Sequence, residues 1–279
     1  MRLLSAIGLL LLSGCSSFPY SDYIDEQTRL LYQRHPQIEK SFQVDGRKLS
    51  YLHLDNPSSP YLVVYIHGSP GQASSWSNAL KNPRLQKQYS LLAIDRHGYG
   101  RFDKGIVEPS LQKQAQDLGQ LIRNYSKNRK VILVGHSYGG PLALQMAIDF
   151  PKHIDGLVLA AAAVDPELEE TKWYQYPADW LLFRWILPSA LDVCNQEILA
   201  LKDGLVLMQP KLERVTLPIH VIHGTQDNLV PYGNVAFLQR HLAQAKLEIT
   251  QLNQMNHFLP WGDPERITAG IEWVIDNIE

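Results

Sequence analysis

Cysteine is nearly absent from this chain, with only Cys15 and Cys194 among 279 residues. A disulfide framework is therefore excluded as the source of stability, and folding has to rest on a buried core. An excess of charge of one sign is missing too. Twenty-six Lys and Arg face 28 Asp and Glu, a net charge of −2, with an isoelectric point near 6.6. That leaves no basic footprint, so nucleic acid is not an expected partner. No Walker-type phosphate loop, no CxxC pair and no cluster of metal-ligand spacing occurs, so no cofactor or metal is expected. No apolar run approaches the ~20 residues that span a bilayer. Internal repeats and low-complexity tracts are absent as well.

What is present is a 45% hydrophobic share, enough to bury one substantial core with an insertion. Strand-like and helix-like segments alternate: Leu62 to Ile66, Ser74 to Leu80, Leu91 to Ile94, Leu111 to Tyr125, Val131 to Val134 and Tyr138 to Phe150. Such alternation predicts an α/β fold, a mostly parallel central sheet with helices on both faces. Before it, Asp45-Gly46 between two strand-like runs signals a hairpin.

The chemistry concentrates where Val131 to Val134 meets Gly135-His136-Ser137-Tyr138-Gly139. A serine between a buried strand and a helix, with glycines two before and two after it, is a nucleophile-elbow pattern. The glycines remove the Cβ atoms that would block so tight a turn and leave the hydroxyl exposed above the strand end. Such a serine needs a base, and the base an orienting acid. Downstream, the strand-like Ile219 to Gly224 is followed by Asp227, and the strand-like Leu247 to Leu252 by His257. Asp165, after Leu157 to Ala161, is a second candidate acid, and Asp227 could instead be a turn former.

The order Ser137, Asp227, His257, with His67-Gly68-Ser69-Pro70-Gly71 and Asp95-Arg96-His97-Gly98-Tyr99-Gly100-Arg101, resembles the α/β-hydrolase-fold serine hydrolases from about Lys40 onward. The resemblance implies His257 as general base, Asp227 as its orienting acid, and an oxyanion site formed by the backbone N–H groups of Tyr138 and Ser69. It gives His67 and His223 bracing roles, and His136 and the Tyr138 side chain none in the chemistry. The departures lie at Ser69 and Tyr138, where proline iminopeptidases carry glycine and tryptophan, and at His97 and Phe102 in the second motif. Serine at position 137, rather than aspartate, disfavours haloalkane dehalogenase and epoxide hydrolase chemistry.

Between residues 165 and 214 the alternation stops, and helical segments are punctuated by Pro166, Pro177, Pro188 and Pro210. This reads as a helical cap inserted between core segments 39–164 and 215–279. Its aromatics, Trp173 and Trp180 among them, together with Trp76 and Trp261 near the two loops, are expected to favour an apolar acyl or alkyl group. Packing of the cap onto the sheet is the competing use for each of them.

At the N-terminus, Met1-Arg2 leads into an apolar run ending Leu12-Ser13-Gly14-Cys15. This reads as an export signal over residues 1–14, followed by a tether and short helix over 15–38. The last four residues resemble a bacterial lipobox, which implies lipidation of Cys15 and a membrane anchor. Ser16 after the cysteine implies, by the enterobacterial sorting rule, the outer membrane facing the periplasm. With Cys15 lipidated, Cys194 has no partner for a disulfide. Three functional readings stay open: an ester hydrolase, an aminopeptidase of the S33 type that would need a cap glutamate (Glu167, Glu169, Glu170 or Glu197) for the substrate ammonium, and a non-catalytic envelope binding protein.

Overall fold

The computed structural model describes residues 21–126, 128–170, 175 and 188–278, with side chains from 26 onward. The signal segment, Cys15, Trp173 and Trp180 lie outside the described residues. Among the described residues, no helix is long and apolar enough to cross a membrane.

Eight strands form one sheet: β1 Glu39–Val44, β2 Arg47–Leu54, β3 Tyr61–Ile66, β4 Ser90–Ile94, β5 Lys130–His136, β6 Gly156–Ala160, β7 Ile219–Gly224 and β8 Leu247–Leu252. Their order is β1-β2-β4-β3-β5-β6-β7-β8. The β1–β2 and β2–β4 pairs are antiparallel, and the five pairs from β4 to β8 are parallel. The hairpin turn has Asp45 at φ 46° and Gly46 at φ 77°, the two successive positive values of a type I′ connection, which Asp-Gly tolerates well.

Both faces of the sheet are covered, which is why its central strands are continuous apolar runs rather than alternating ones. Val131 and Leu133 of β5 point into the core beneath helices Leu111–Tyr125 and Gly139–Asp149. Ile132 and Val134 point to the opposite face, packed with Leu80 and Leu85 and with Ile267, Ile271 and Val274 of the C-terminal helix Pro264–Asp276. Each such fully buried aliphatic contributes roughly 1.5–3 kcal/mol.

The register determines where function can sit. Ile66 pairs with Ile94 and Gly135, His136 with Ala160, Ala160 with Ile222, and Gly224 with Leu252. The C-terminal ends of β3 to β8 therefore finish at one edge, and the loops carrying residues 67–71, 95–105, 137, 227 and 257 leave from it. Above this edge lies helix Ser189–Met208, bounded by Pro188 and Pro210. Proline at each end fits its length, since proline starts helices readily and cannot continue them. Leu201, Leu205 and Met208 anchor it to the core.

Candidate active site

The turn after β5 is as tight as its glycines require. A Cβ on Gly135 would stand 2.2 Å from the Gly139 carbonyl oxygen, and one on Gly139 would stand 2.3 Å from that of Ile66. Ser137 itself has φ 54°, a left-handed conformation costly for a non-glycine residue and associated with functional positions. Its neighbours from 131 to 140 are all buried, whereas Ser137 is partly exposed. The strand thus lifts one hydroxyl out of the core. The 67–71 loop passes directly against it, because a Cβ on Gly68 would lie 2.9 Å from Ser137 Cβ.

Asp227 and His257 meet on the neighbouring loops. The ring Nδ1–H of His257 donates to Asp227 Oδ2 at 2.7 Å. The other Asp227 oxygen accepts from the backbone N–H of Leu229 and Val230, at 3.0 and 2.8 Å. Burial pushes the Asp227 carboxyl up, but the hydrogen bond and charge of His257, aided by the Val230 N–H, bring it below the ordinary carboxylate range. An ionised Asp227 fixes the imidazole with Nε2 facing away, which is the nitrogen a general base needs. Among the described residues neither Ser137 Oγ nor His257 Nε2 has a hydrogen-bond partner.

Asp165, the alternative acid, is committed elsewhere. It accepts from the Glu167 N–H at 2.9 Å, and its own N–H donates to Asn234. That is an Asx-turn role of the kind aspartate commonly fills.

Several residues do more here than their sequence positions suggest. His136, expected to be a bystander, donates from Nε2 to the His257 carbonyl at 3.0 Å, with the two rings 4.8 Å apart. It therefore ties the elbow to the loop carrying the base. Trp261 meets His136 edge-on at 5.4 Å and donates its indole N–H to the Ser75 carbonyl, so it braces this junction. Trp76, expected beside the substrate, is 4% exposed and lies tilted against Tyr65, ring centroids 4.9 Å apart, within the buried cluster on that face of the sheet. His223 donates to the Val230 carbonyl and so holds the Asp227 loop.

The loop after β3 is tied down from below. His67 donates from Nδ1 to the Gly68 carbonyl and accepts the Arg96 N–H at Nε2. The Arg96 guanidinium donates to the His67 and Gly68 carbonyls, both at 3.0 Å. Arg96 is wholly buried, and its partner is Glu197 of helix Ser189–Met208, also wholly buried, with Nη1 to Oε1 at 2.5 Å. Burial works against the Arg96 charge, yet the adjacent carboxylate holds the guanidinium above its ordinary value. This pair was not legible in advance, because residues 96 and 197 lie in segments that no local pattern connects.

The buried histidines have a measurable consequence. Burial lowers His67, His97, His136 and His223, with His97 and His136 reaching about 3. An unfolded histidine titrates near ~6.5. Below that pH the unfolded chain binds protons that the native chain refuses, so stability is lost as pH falls from 6.5 towards 3. Each group contributes at most about 1.4 kcal/mol per pH unit. The thermal midpoint is expected to decline from about pH 6.5 downward, well above the carboxylate range, and His97→Asn should flatten that slope. A midpoint constant from pH 7 to 5 would contradict this.

A family model described as the alpha/beta hydrolase fold matches residues 61–192. The AB hydrolase superfamily protein YfhM of Bacillus subtilis (strain 168) is 31% identical over 127 residues, 45% of this chain and 43% of that protein. The chain thus matches under half the length of that relative. An uncharacterized hydrolase of the same organism, YugF, is 23% identical over 239 residues, 82% of this chain and 81% of that protein. Among solved structures, E-2-(acetamidomethylene)succinate hydrolase superposes with a TM-score of 0.66 at 19% identity, covering 86% of this chain and 99% of that one. The sheet and its covering helices are those of the α/β-hydrolase fold, as the sequence resemblance implied.

Proposed function

We propose that this chain is a serine hydrolase cleaving carboxylic esters of small or medium apolar acyl or alkyl groups through an acyl-Ser137 intermediate. One observation carries the reading. A partly exposed serine at φ 54°, a histidine hydrogen-bonded to a buried carboxylate, and a loop packed on the serine through Gly68 converge at one sheet edge.

In the proposed reaction, Ser137 Oγ attacks the ester carbonyl carbon while its proton passes to His257 Nε2. The carbonyl oxygen becomes an oxyanion facing the N–H groups of Tyr138 and Ser69. Collapse breaks the carbon–oxygen bond, and His257 returns the proton to the departing alkoxide. Water then repeats the sequence on the acyl-enzyme, giving the acid and free Ser137. Asp227 stabilises the imidazolium at both stages. The apolar preference is supported by Phe258 beside His257, with Trp261 against Phe258, and by Leu229, 67% exposed, two residues from Asp227.

The aminopeptidase reading would need Glu167, Glu169, Glu170 or Glu197 for the substrate ammonium, and Glu197 is already engaged. Glu197 accepts five hydrogen bonds, two from Arg96 and one each from Gln114, Ser69 and Tyr99. Neither oxygen is open to an ammonium group, and Glu167 is exposed to solvent.

Reaction with a fluorophosphonate probe, followed by panels of p-nitrophenyl esters and aminoacyl naphthylamides, tests the proposal. Labelling with turnover of esters alone is expected. Turnover confined to the amides would reject ester specificity, and no labelling of the folded protein would reject the acyl-serine mechanism.

A further inference from the structure

Position 69 is chemically unusual for a loop that has to bring a backbone N–H to an oxyanion. A serine stands there, and its side chain is engaged. Ser69 Oγ donates to Glu197 Oε2 at 2.7 Å and lies 2.9 Å from Tyr99 Oη, which itself donates to the same carboxylate oxygen at 2.9 Å. Tyr99 is 4% exposed and Glu197 is not exposed at all.

The carboxylate at the centre of this cluster comes from the helix above the sheet edge, 128 residues further along the chain than Ser69. Its other oxygen is held by Arg96 and by Gln114 Nε2 at 2.9 Å. Arg96 in turn clamps the carbonyls of His67 and Gly68. The loop is therefore gripped on its carbonyl side by the arginine and on the Ser69 side chain by the glutamate. Both grips meet in one buried ion pair, where low dielectric strengthens every bond. The Ser69 side chain is thereby fixed at two points, Glu197 and Tyr99, next to the backbone N–H it carries.

We infer that Glu197 is a positioning residue of the cap: through the Ser69 hydroxyl it sets the orientation of the Ser69 peptide N–H toward the oxyanion formed at Ser137. The inference rests on the acyl-serine reading and assigns Glu197 and Ser69 Oγ no contact with substrate. The hydroxyl acts on the transition state through the geometry of its own backbone. Its removal therefore lowers kcat and leaves ground-state binding alone. Deleting an oxyanion donor outright costs roughly 10²–10³ in turnover, so loosening one should cost about tenfold.

The experiment compares wild type, Ser69→Ala and Ser69→Thr for kcat and KM on one p-nitrophenyl ester and for the second-order rate of fluorophosphonate labelling. Neither substitution touches Arg96 or Glu197, and a cooperative thermal transition well above the assay temperature verifies folding. Ser69→Ala is expected to lose about tenfold in kcat with KM within twofold and to label more slowly by the same factor. Ser69→Thr, which keeps the hydroxyl, is expected to recover most of both. A Ser69→Ala kcat within twofold of wild type, a change confined to KM, or no recovery in Ser69→Thr overturns the inference. If wild type reacts with the probe and Ser69→Ala reacts equally fast, only this inference falls. If folded wild type does not react, the acyl-serine reading falls and takes this inference with it.

Discussion

Ser137→Ala is expected to lower ester turnover by a factor on the order of 10⁵–10⁶, with KM little changed and fluorophosphonate labelling abolished. The size follows from the nucleophile and base acting as a unit. Once no hydroxyl can form the acyl intermediate, His257 has no proton to accept, so removing either disables both. His257→Ala should consequently cost nearly as much, and the double variant hardly more than either alone. Asp227→Asn should cost less, because the imidazole remains in place and loses only its tautomer control and the stabilising charge. Asp165→Asn should leave kcat within a few-fold, since that side chain is occupied by the Glu167 N–H. Steady-state kinetics on one ester across the set decides the matter. Strictly additive losses for Ser137 and His257, or a loss at Asp165 matching that at Asp227, would contradict the assignment.

The second large effect concerns stability. Glu197→Ala should destabilise the fold by roughly 3–5 kcal/mol, because it strands the Arg96 guanidinium, fully buried, without a counter-charge. For a chain of this size that corresponds to a fall in thermal midpoint of about 10 °C. Replacing both members by apolar residues is not expected to restore stability. Although a buried pair can often be exchanged for hydrocarbon, Arg96 also satisfies the carbonyls of His67 and Gly68, and those would be left bare. Arg96→Lys should fail for a related reason, since an ammonium cannot reproduce the planar fork that reaches both carbonyls and both carboxylate oxygens. Denaturant titration of the three variants provides the measurement. A Glu197→Ala protein within 1 kcal/mol of wild type would show that water reaches this site.

Much of the architecture can be read from the chain because its signals are local. Leu111–Tyr125 and Leu247–Leu252 form where periodicity places them, and Asp45-Gly46 turns as that dipeptide prefers. The segment expected as one helix from Ser74 to Leu80 divides into a 3₁₀ turn, Ala73–Trp76, and a short helix, Ser77–Lys81. There, packing against β3 outweighs the apolar pattern. The Ser137, Asp227 and His257 loops are visible because each follows a strand end, and parallel strands deliver their ends to one edge. Invisible in the sequence is everything that depends on side chains meeting across that edge. His136 reads as an arbitrary elbow residue until the His257 carbonyl is placed against it. Glu197 reads as a candidate amine anchor until Arg96 is found on it. The burial of Trp76 beside Tyr65 is invisible in the same way, because nearness in sequence to the 67–71 loop does not say where a ring will pack.

The distances along the chain between the members of the Glu197 cluster bear on how the protein acquires its form. Residues 69, 96, 99 and 114 all wait for a helix that is synthesised 83 to 128 positions later. Closing loops of that length is slow relative to forming the hairpin or the local strand–helix units. A growing chain can thus complete six of its eight strands while the Arg96 guanidinium still lacks its carboxylate partner. The buried ion pair, and with it the grip on the Ser69 side chain, would then be among the later contacts to form, after the strands on either side of the elbow are in place.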